Sequence, residues 1–511
     1  MARHLLGELS GKTGKRMSGF AARIFLKEKL NNWQGYLFTA LMACIFGVLE
    51  SIDVLSGIML FGMLLSFLLL FLFFTEPEFC FYFLLFYAFW IAFFNACFFH
   101  GQLLIGVPDD IVTLLLFLSL MVSSPAARAK LKIFVRIPLI IYFFLVVFLY
   151  NLLEVFNPAH VSDFNNATLI VRKYLDYFIL LFAAYVLLDS IEKIRRYTNI
   201  LLVATGIAAL YGCIEEWHGL FYWDLDALLS NPRAYALMFI NGEFRKSGTM
   251  ADPAIYGLVM AACALYFIII ALYEKSTRLR LSYIVVIILM ILAVGYSGTR
   301  TAYASLLVGL AFFIVLNIAR PGIRRMALFA IAGYLVLMYG PGASFGTIRR
   351  FRTTFAGTED ESYKVRMQAR SFIQPYIRSH PFGGGLGTTG GLHNDNDHSG
   401  NPLSGFQTDG AYVQKAAETG YIGLALQCIL YFMVMAFGIR GFFRARDQQI
   451  KVYYSACLSA VFSLYIGEYT QAAVGGVGDS LFYFPMIGIM LNLKYLDTPA
   501  PQDAEKKSFA P

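Results

Sequence analysis

Residues 254–273 read AIYGLVMAACALYFIIIALY, twenty residues without a charge. As an α-helix rising about 1.5 Å per residue, the run spans about 30 Å, the thickness of a bilayer's hydrocarbon core. Asp252-Pro253 precedes it and Glu274-Lys275 follows, so start and stop signals stand at its two ends. Working outward, similar apolar runs recur at 36–50, 54–74, 79–98, 110–123, 134–151, 173–189, 198–216, 281–297, 301–318, 326–341, 419–438, 452–470 and 479–493. The composition agrees. Of 511 residues 58% are hydrophobic and only 14% charged, against about 45–50% and about 25% in soluble domains. An ordinary cytosolic enzyme, a disordered chain and a fibrous protein are excluded. The expected fold is all-α, a polytopic membrane bundle of about 12–14 spans.

The charges set a topology. Arg128, Lys130, Lys132 and Arg136 fall in one short loop; Lys193, Arg195 and Arg196 in another; Lys275, Arg278 and Arg280, then Arg320, Arg324 and Arg325, then Arg440, Arg444, Arg446 and Lys451 in three more. With the N-terminus inside, every one of these loops is inside, as the positive-inside rule requires. The net charge of +8 therefore reports orientation and not a nucleic-acid partner. The expected plan is a cytoplasmic tail over 1–34, a transmembrane bundle over 35–341, a periplasmic loop over 342–418, further spans over 419–493 and a cytoplasmic tail over 494–511. No cleavable leader is read in 1–34. The seven cysteines lie in or beside apolar runs with no CxxC pair, which reads as packing thiols.

Three outer segments could carry chemistry. In Glu243–Pro253, Arg245 precedes a Gly248-Thr249 turn and a helix start. Backbone N–H groups and a guanidinium fork could cradle an anion there; the alternative is an arginine snorkelling to the interface. In Tyr296-Ser297-Gly298-Thr299-Arg300, Arg300 sits between two spans with almost no connector. A charge at that depth is costly and points to function, or to lipid headgroups. The third is the long loop, with Arg366, His380-Pro381 and the glycines from Gly383 to Gly387, which allow close backbone approach to a ligand. His393, Asp395, Asp397 and His398 lack zinc-type spacing, so no metal is expected.

These motifs, in this order, resemble the O-antigen ligase and polymerase family, which includes the lipid-linked polysaccharide ligases and Wzy-type polymerases. Arg245 with Gly248, Thr249 and Pro253, Ser297 with Arg300, Arg366, His380-Pro381 with its glycine run, and Tyr412-Val413 with Glu418, Gly420 and Gly423 carry the resemblance. One position departs: family ligases have a His-Asn before the last motif, where this chain has Asp409-Gly410.

The resemblance implies a GT-C-like glycosyltransferase of the bacterial inner membrane, with both termini cytoplasmic and the active site periplasmic. Its substrate would be an oligosaccharide on undecaprenyl diphosphate, polymerised in exopolysaccharide, O-antigen or capsule synthesis. Arg245 and Arg300 would grip the diphosphate, with Arg366, His380 and Tyr412 completing the glycan site. The base would be Asp409, then His393. Inversion, no metal and no cofactor are expected, with a flippase and a chain-length regulator as pathway partners. The same-class alternative is an O-antigen ligase transferring glycan to lipid A-core. The alternatives of another class are a lipid-linked oligosaccharide flippase and a structural partner in an export complex. A transporter would carry its charges at mid-membrane, whereas here they gather at the outer face.

Overall fold

The computed structural model describes residues 68–102, 106–123, 125–136, 139–157, 164–230, 235–236, 238–240, 242–341, 346–355, 361–389, 410–497 and a few isolated positions. The chain forms two units, Met1–Thr75 and Glu76–Pro511. In the first, residues 68–75 are helical. All that follows concerns the second.

The described residues of the second unit are mostly helical. It opens with α1 (Pro77–Phe99), α2 (Gly106–Ser123), α3 (Pro125–Arg136), α4 (Leu139–Glu154), α5 (Phe164–Leu187), α6 (Ile191–His218) and α7 (Tyr222–Leu229). A two-residue antiparallel hairpin, β1 (Phe239–Ile240) and β2 (Glu243–Phe244), pairs Phe239 with Phe244. Then come α8 (Pro253–Tyr273), α9 (Thr277–Tyr296), α10 (Arg300–Leu316), α11 (Pro321–Tyr339), α12 (Gly346–Thr354) and α13 (Glu361–Ser379). The chain ends in α14 (Ala411–Arg444), α15 (Gln448–Gly467) and α16 (Val477–Leu496).

The all-α expectation holds. Among the described residues seven helices, α1, α6, α8, α9, α11, α14 and α15, are long and apolar enough to cross a membrane, and α4 and α10 are shorter apolar helices. The described parts of the runs expected from 79–98 onward fall mainly on helices, with 134–151 divided between the end of α3 and α4 and residues 137–138 outside the described residues; those at 36–50 and 54–74 lie almost wholly outside the described residues. The segment 342–418 is less loop-like than expected. It contains α12, α13 and the first turns of α14, whose polar, amphipathic sequences show no apolar run.

The opening stretch forms the centre. Asp252 caps α8 by accepting from Ala254 N at 2.5 Å and Ile255 N at 3.1 Å, and Pro253 occupies the first turn, where its missing N–H is no loss. Its side chains are buried from Pro253 to Ala271 with few exceptions. It packs on α9, α10 and α15, while α5 packs on α16 and α4 on α14. Small residues set these approaches: Gly309 leaves room for Leu265 and Ser463. Large apolar side chains of α9 and α11, such as Ile288, Phe329 and Val336, are exposed, as lipid-facing helices require.

The two ends of the bundle differ. At one, Glu78 meets Lys193 at 3.4 Å and Arg196 at 3.5 Å, Lys130 meets Asp189 at 2.6 Å, and Arg195 meets Glu274 at 3.3 Å. The basic short loops thus share one end. The opposite end gathers the motifs.

Candidate active site

At that opposite end the start of α8, the end of α9 and the start of α10 meet. The turn Ser297-Gly298-Thr299 joins α9 to α10. Gly298 has φ +61, and a Cβ there would run into the Arg350 guanidinium, so only glycine suits the turn. Arg245 fastens it: Nε donates to Ser297 O at 3.1 Å and Nη2 to Thr299 Oγ1 at 2.8 Å. Thr299 Oγ1 donates onward to Pro253 O at 3.0 Å. Arg300, the first residue of α10, follows directly and is half-buried.

The segment carrying Arg245 is held from α6. Gly248 N donates to Glu215 Oε2 at 2.8 Å, and Lys246 Nζ lies 3.6 Å from Glu216 Oε2. From α12, Arg350 reaches Glu243 at 3.2 Å while its guanidinium lies against Gly298. Burial pulls the Arg245 guanidinium below its ordinary pKa; Asp252 opposes this and the like charge of Arg350 adds to it. Two partly desolvated cations beside one turn repel each other, and an anion placed between them would relieve that repulsion.

The long segment docks elsewhere. α14 breaks at Gly420, whose φ is 65 and ψ −169. Into that break lies the run from Pro381 to Gly385. Gly384 N donates to Ala417 O at 2.9 Å, Gly385 N to Glu418 O at 3.0 Å, and Tyr421 N to Pro381 O at 3.0 Å. A Cβ on Gly420 would meet Pro381 O, and one on Gly383 would meet Glu418 O. The glycines therefore do allow close backbone approach, but the described approach is to the chain's own helix. Buried Glu418 completes the joint, accepting from Thr389 Oγ1 at 2.6 Å and Gln414 Nε2 at 3.1 Å.

Between α4, α5, α14 and the turn after α15 lies a cavity of about 520 Å³. Phe144, Phe148, Phe178, Leu430 and Phe484 give it apolar walls, and Lys173, Tyr174, Tyr412, Lys415, Glu418 and Glu468 a polar region. Lys415 Nζ donates to Tyr174 OH at 2.8 Å and to Asn151 Oδ1. Glu468 accepts from Ala473 N at 2.6 Å, Val474 N at 2.7 Å and Tyr431 OH at 3.1 Å. Both carboxylates are thus held by uncharged donors of the chain, and the Lys415 ammonium is held by neutral acceptors. Apolar walls beside a satisfied polar region suit an amphipathic guest. The arginine turn is close by: Ile255 of α8 lines the cavity, and Thr301 hydrogen-bonds Thr470 in the turn that walls it.

The predicted site residues distribute as follows. Arg245 and Arg300 share one turn. Tyr412 lines the cavity and donates to Tyr465 O at 3.0 Å. His380 stacks on Tyr376 at 4.2 Å between ring centres, and its Nδ1 lies 3.0 Å from Ser379 Oγ and 3.1 Å from Tyr376 O, all local contacts at the docked run. Arg366 lies on α13. His393 and Asp409 lie outside the described residues. Sequence reasoning missed Arg350, Lys415 and Tyr174. Arg350 stood in an arginine-rich run with no spacing to single it out, and Lys415 stood one turn after Tyr412 in a motif read only for its tyrosine and glycines.

No curated protein matches the sequence. Residues 285–428 match the model of the O-antigen ligase family. The matched segment runs from within α9 into α14 and includes Arg300, Arg350, the docked glycine run, Tyr412 and Glu418. This match, over 144 of the 511 residues, agrees with what the motifs implied: the stretch from within α9 into α14 is similar to the O-antigen ligase family, in a chain whose apolar helices are those of a multi-pass membrane protein.

Proposed function

We propose that this protein polymerises oligosaccharide units carried on undecaprenyl diphosphate, at the periplasmic face of a bacterial inner membrane. The observation that carries the reading is the gathering of Arg245, Arg300 and Arg350 at one turn, beside a cavity with apolar walls and a polar region. The acceptor hydroxyl oxygen attacks the anomeric carbon from the face opposite the diphosphate. The bond to the diphosphate oxygen breaks, that oxygen keeps the electron pair, and configuration inverts. The arginines oppose the charge that grows on the leaving group. Arg245 also shapes the turn, through the two bonds it gives to Ser297 and Thr299. The hydroxyl proton passes to a base. Asp409 is the first candidate because it directly precedes Gly410, the N-cap of α14, on which Tyr412 lines the cavity; His393 is the second.

The second reading is a ligase that transfers glycan to lipid A-core. The description of the matching family favours it, whereas Asp409-Gly410 in place of His-Asn favours polymerisation. Purified protein given a lipid-diphosphate-linked oligosaccharide alone should produce a ladder of polymer. Transfer only on addition of lipid A-core would establish the ligase instead, and no glycosyl transfer under either condition would overturn both. Because arginines supply the positive charge, turnover should survive EDTA. Loss on chelation, with recovery on adding Mg²⁺ or Mn²⁺, would contradict the arginine chemistry.

A further inference from the structure

The end of the bundle that carries the basic short loops holds a second cavity, of about 550 Å³, framed by α4, α14 and α16. Its walls include Leu139, Ile140, Phe432 and Phe437, and its polar side carries Arg440, Arg444 and Lys494. Asp497 also lines it, but that carboxylate accepts from Arg446 N at 2.9 Å and Asp447 N at 2.9 Å, and so is taken up by backbone donors. Lys494 Nζ lies over the rings of Phe437 and Tyr495, 6.0 and 4.5 Å from their centres. Among the described residues no carboxylate forms an ion pair with any of the three cations.

We infer that this cavity binds an anionic glycerophospholipid, with its phosphate held by Arg440, Arg444 and Lys494 and its acyl chains against Phe432 and Phe437. Basic residues at this end serve topology whether or not they meet anything. Topology alone does not require two helices to aim three cations into one concave, apolar-walled space. A basic pocket between transmembrane helices is the form that recognises an acidic lipid headgroup. The dimensions agree: Phe437 lies seven residues before Arg444 on α14, two turns and about 10 Å along the same face of a helix, so headgroup and upper acyl chain fit that face. Phe432 is 71% exposed, which opens the apolar wall toward lipid. The site lies at the opposite end from the arginine turn and does not depend on the reaction proposed there.

The test uses the purified full chain in detergent, with lipid retention read by native mass spectrometry and thermal unfolding read in parallel. Phosphatidylglycerol should be retained in preference to phosphatidylcholine and should raise the unfolding temperature. Arg440→Gln, Arg444→Gln and Lys494→Gln should each weaken phosphatidylglycerol retention by about fivefold at low salt, the triple variant should show no preference, and phosphatidylcholine retention should not change. Inorganic phosphate at the same concentration should not displace the lipid. A wild-type protein that does not distinguish the two lipids would overturn the inference, as would a folded triple variant with the wild-type preference. Displacement by inorganic phosphate would make the cavity a soluble-anion site and overturn it equally.

Discussion

Arg245 and Arg300 meet at one turn, and Arg245 holds its shape. Arg245 gives two hydrogen bonds to the Ser297-Gly298-Thr299 turn, so Arg245→Ala should lower stability as well as rate, by about 3–6 kcal/mol at about 1.5–3 kcal/mol per charge-assisted bond. Arg300 begins α10 directly after that turn. An Arg245→Ala protein that unfolds at the wild-type temperature would contradict this role in the turn. Gly298→Ala forces a left-handed backbone on a residue with a Cβ and pushes Arg350 aside. The expected cost is about 1–2 kcal/mol, together with lost turnover. At this scale the sequence was legible where a charge stood against its surroundings, as Arg300 does between two apolar runs. Arg350 was not legible, because its contacts with Glu243 and Gly298 join positions far apart in the chain and no local spacing encodes them.

The element that organises the docked segment is α14. Its apolar run was readable from 419, and the helix breaks next to that position, at Gly420, a kink that the apolar pattern does not encode. The helical turns before the kink were not readable, because Gln414, Lys415 and Glu418 face a polar cavity and break the apolar pattern. The hairpin of β1 and β2 was missed although Asn241-Gly242 is a strong turn signal; its strands are only two residues each. Gly420→Ala would put a Cβ against Pro381 O. It should cost about 1–3 kcal/mol of backbone strain and loosen the run from Pro381 to Gly385. The measurement is limited proteolysis between residues 380 and 410. Cleavage should become faster than in wild type, and an unchanged rate would mean that the glycine contacts do not hold the segment.

For the whole molecule, periodicity and charge carried the fold class, because a span of about 20 apolar residues is its own signal. The site was less legible, since it assembles helix ends brought together only by packing: α8, α9, α10 and α12 at the arginine turn, and α4, α5 and α14 at the cavity. The proposed sidedness rests on the basic loops. A reporter fused after Ala356 should read periplasmic and one after Arg444 cytoplasmic; the reverse at either site would put the arginine turn on the wrong face. The central claim is that this turn grips the donor's diphosphate. Its most direct test is the turnover of purified wild type, Arg245→Ala, Arg300→Ala, Arg300→Lys and the double alanine variant on a lipid-diphosphate-linked oligosaccharide, with folding checked by size-exclusion. Each single alanine variant should lose at least about tenfold, at about 1.4 kcal/mol per decade. The lysine variant should recover only part of the rate for want of a bidentate fork, and the double variant should lose less than the two losses combined. Folded alanine variants turning over near the wild-type rate would contradict the account.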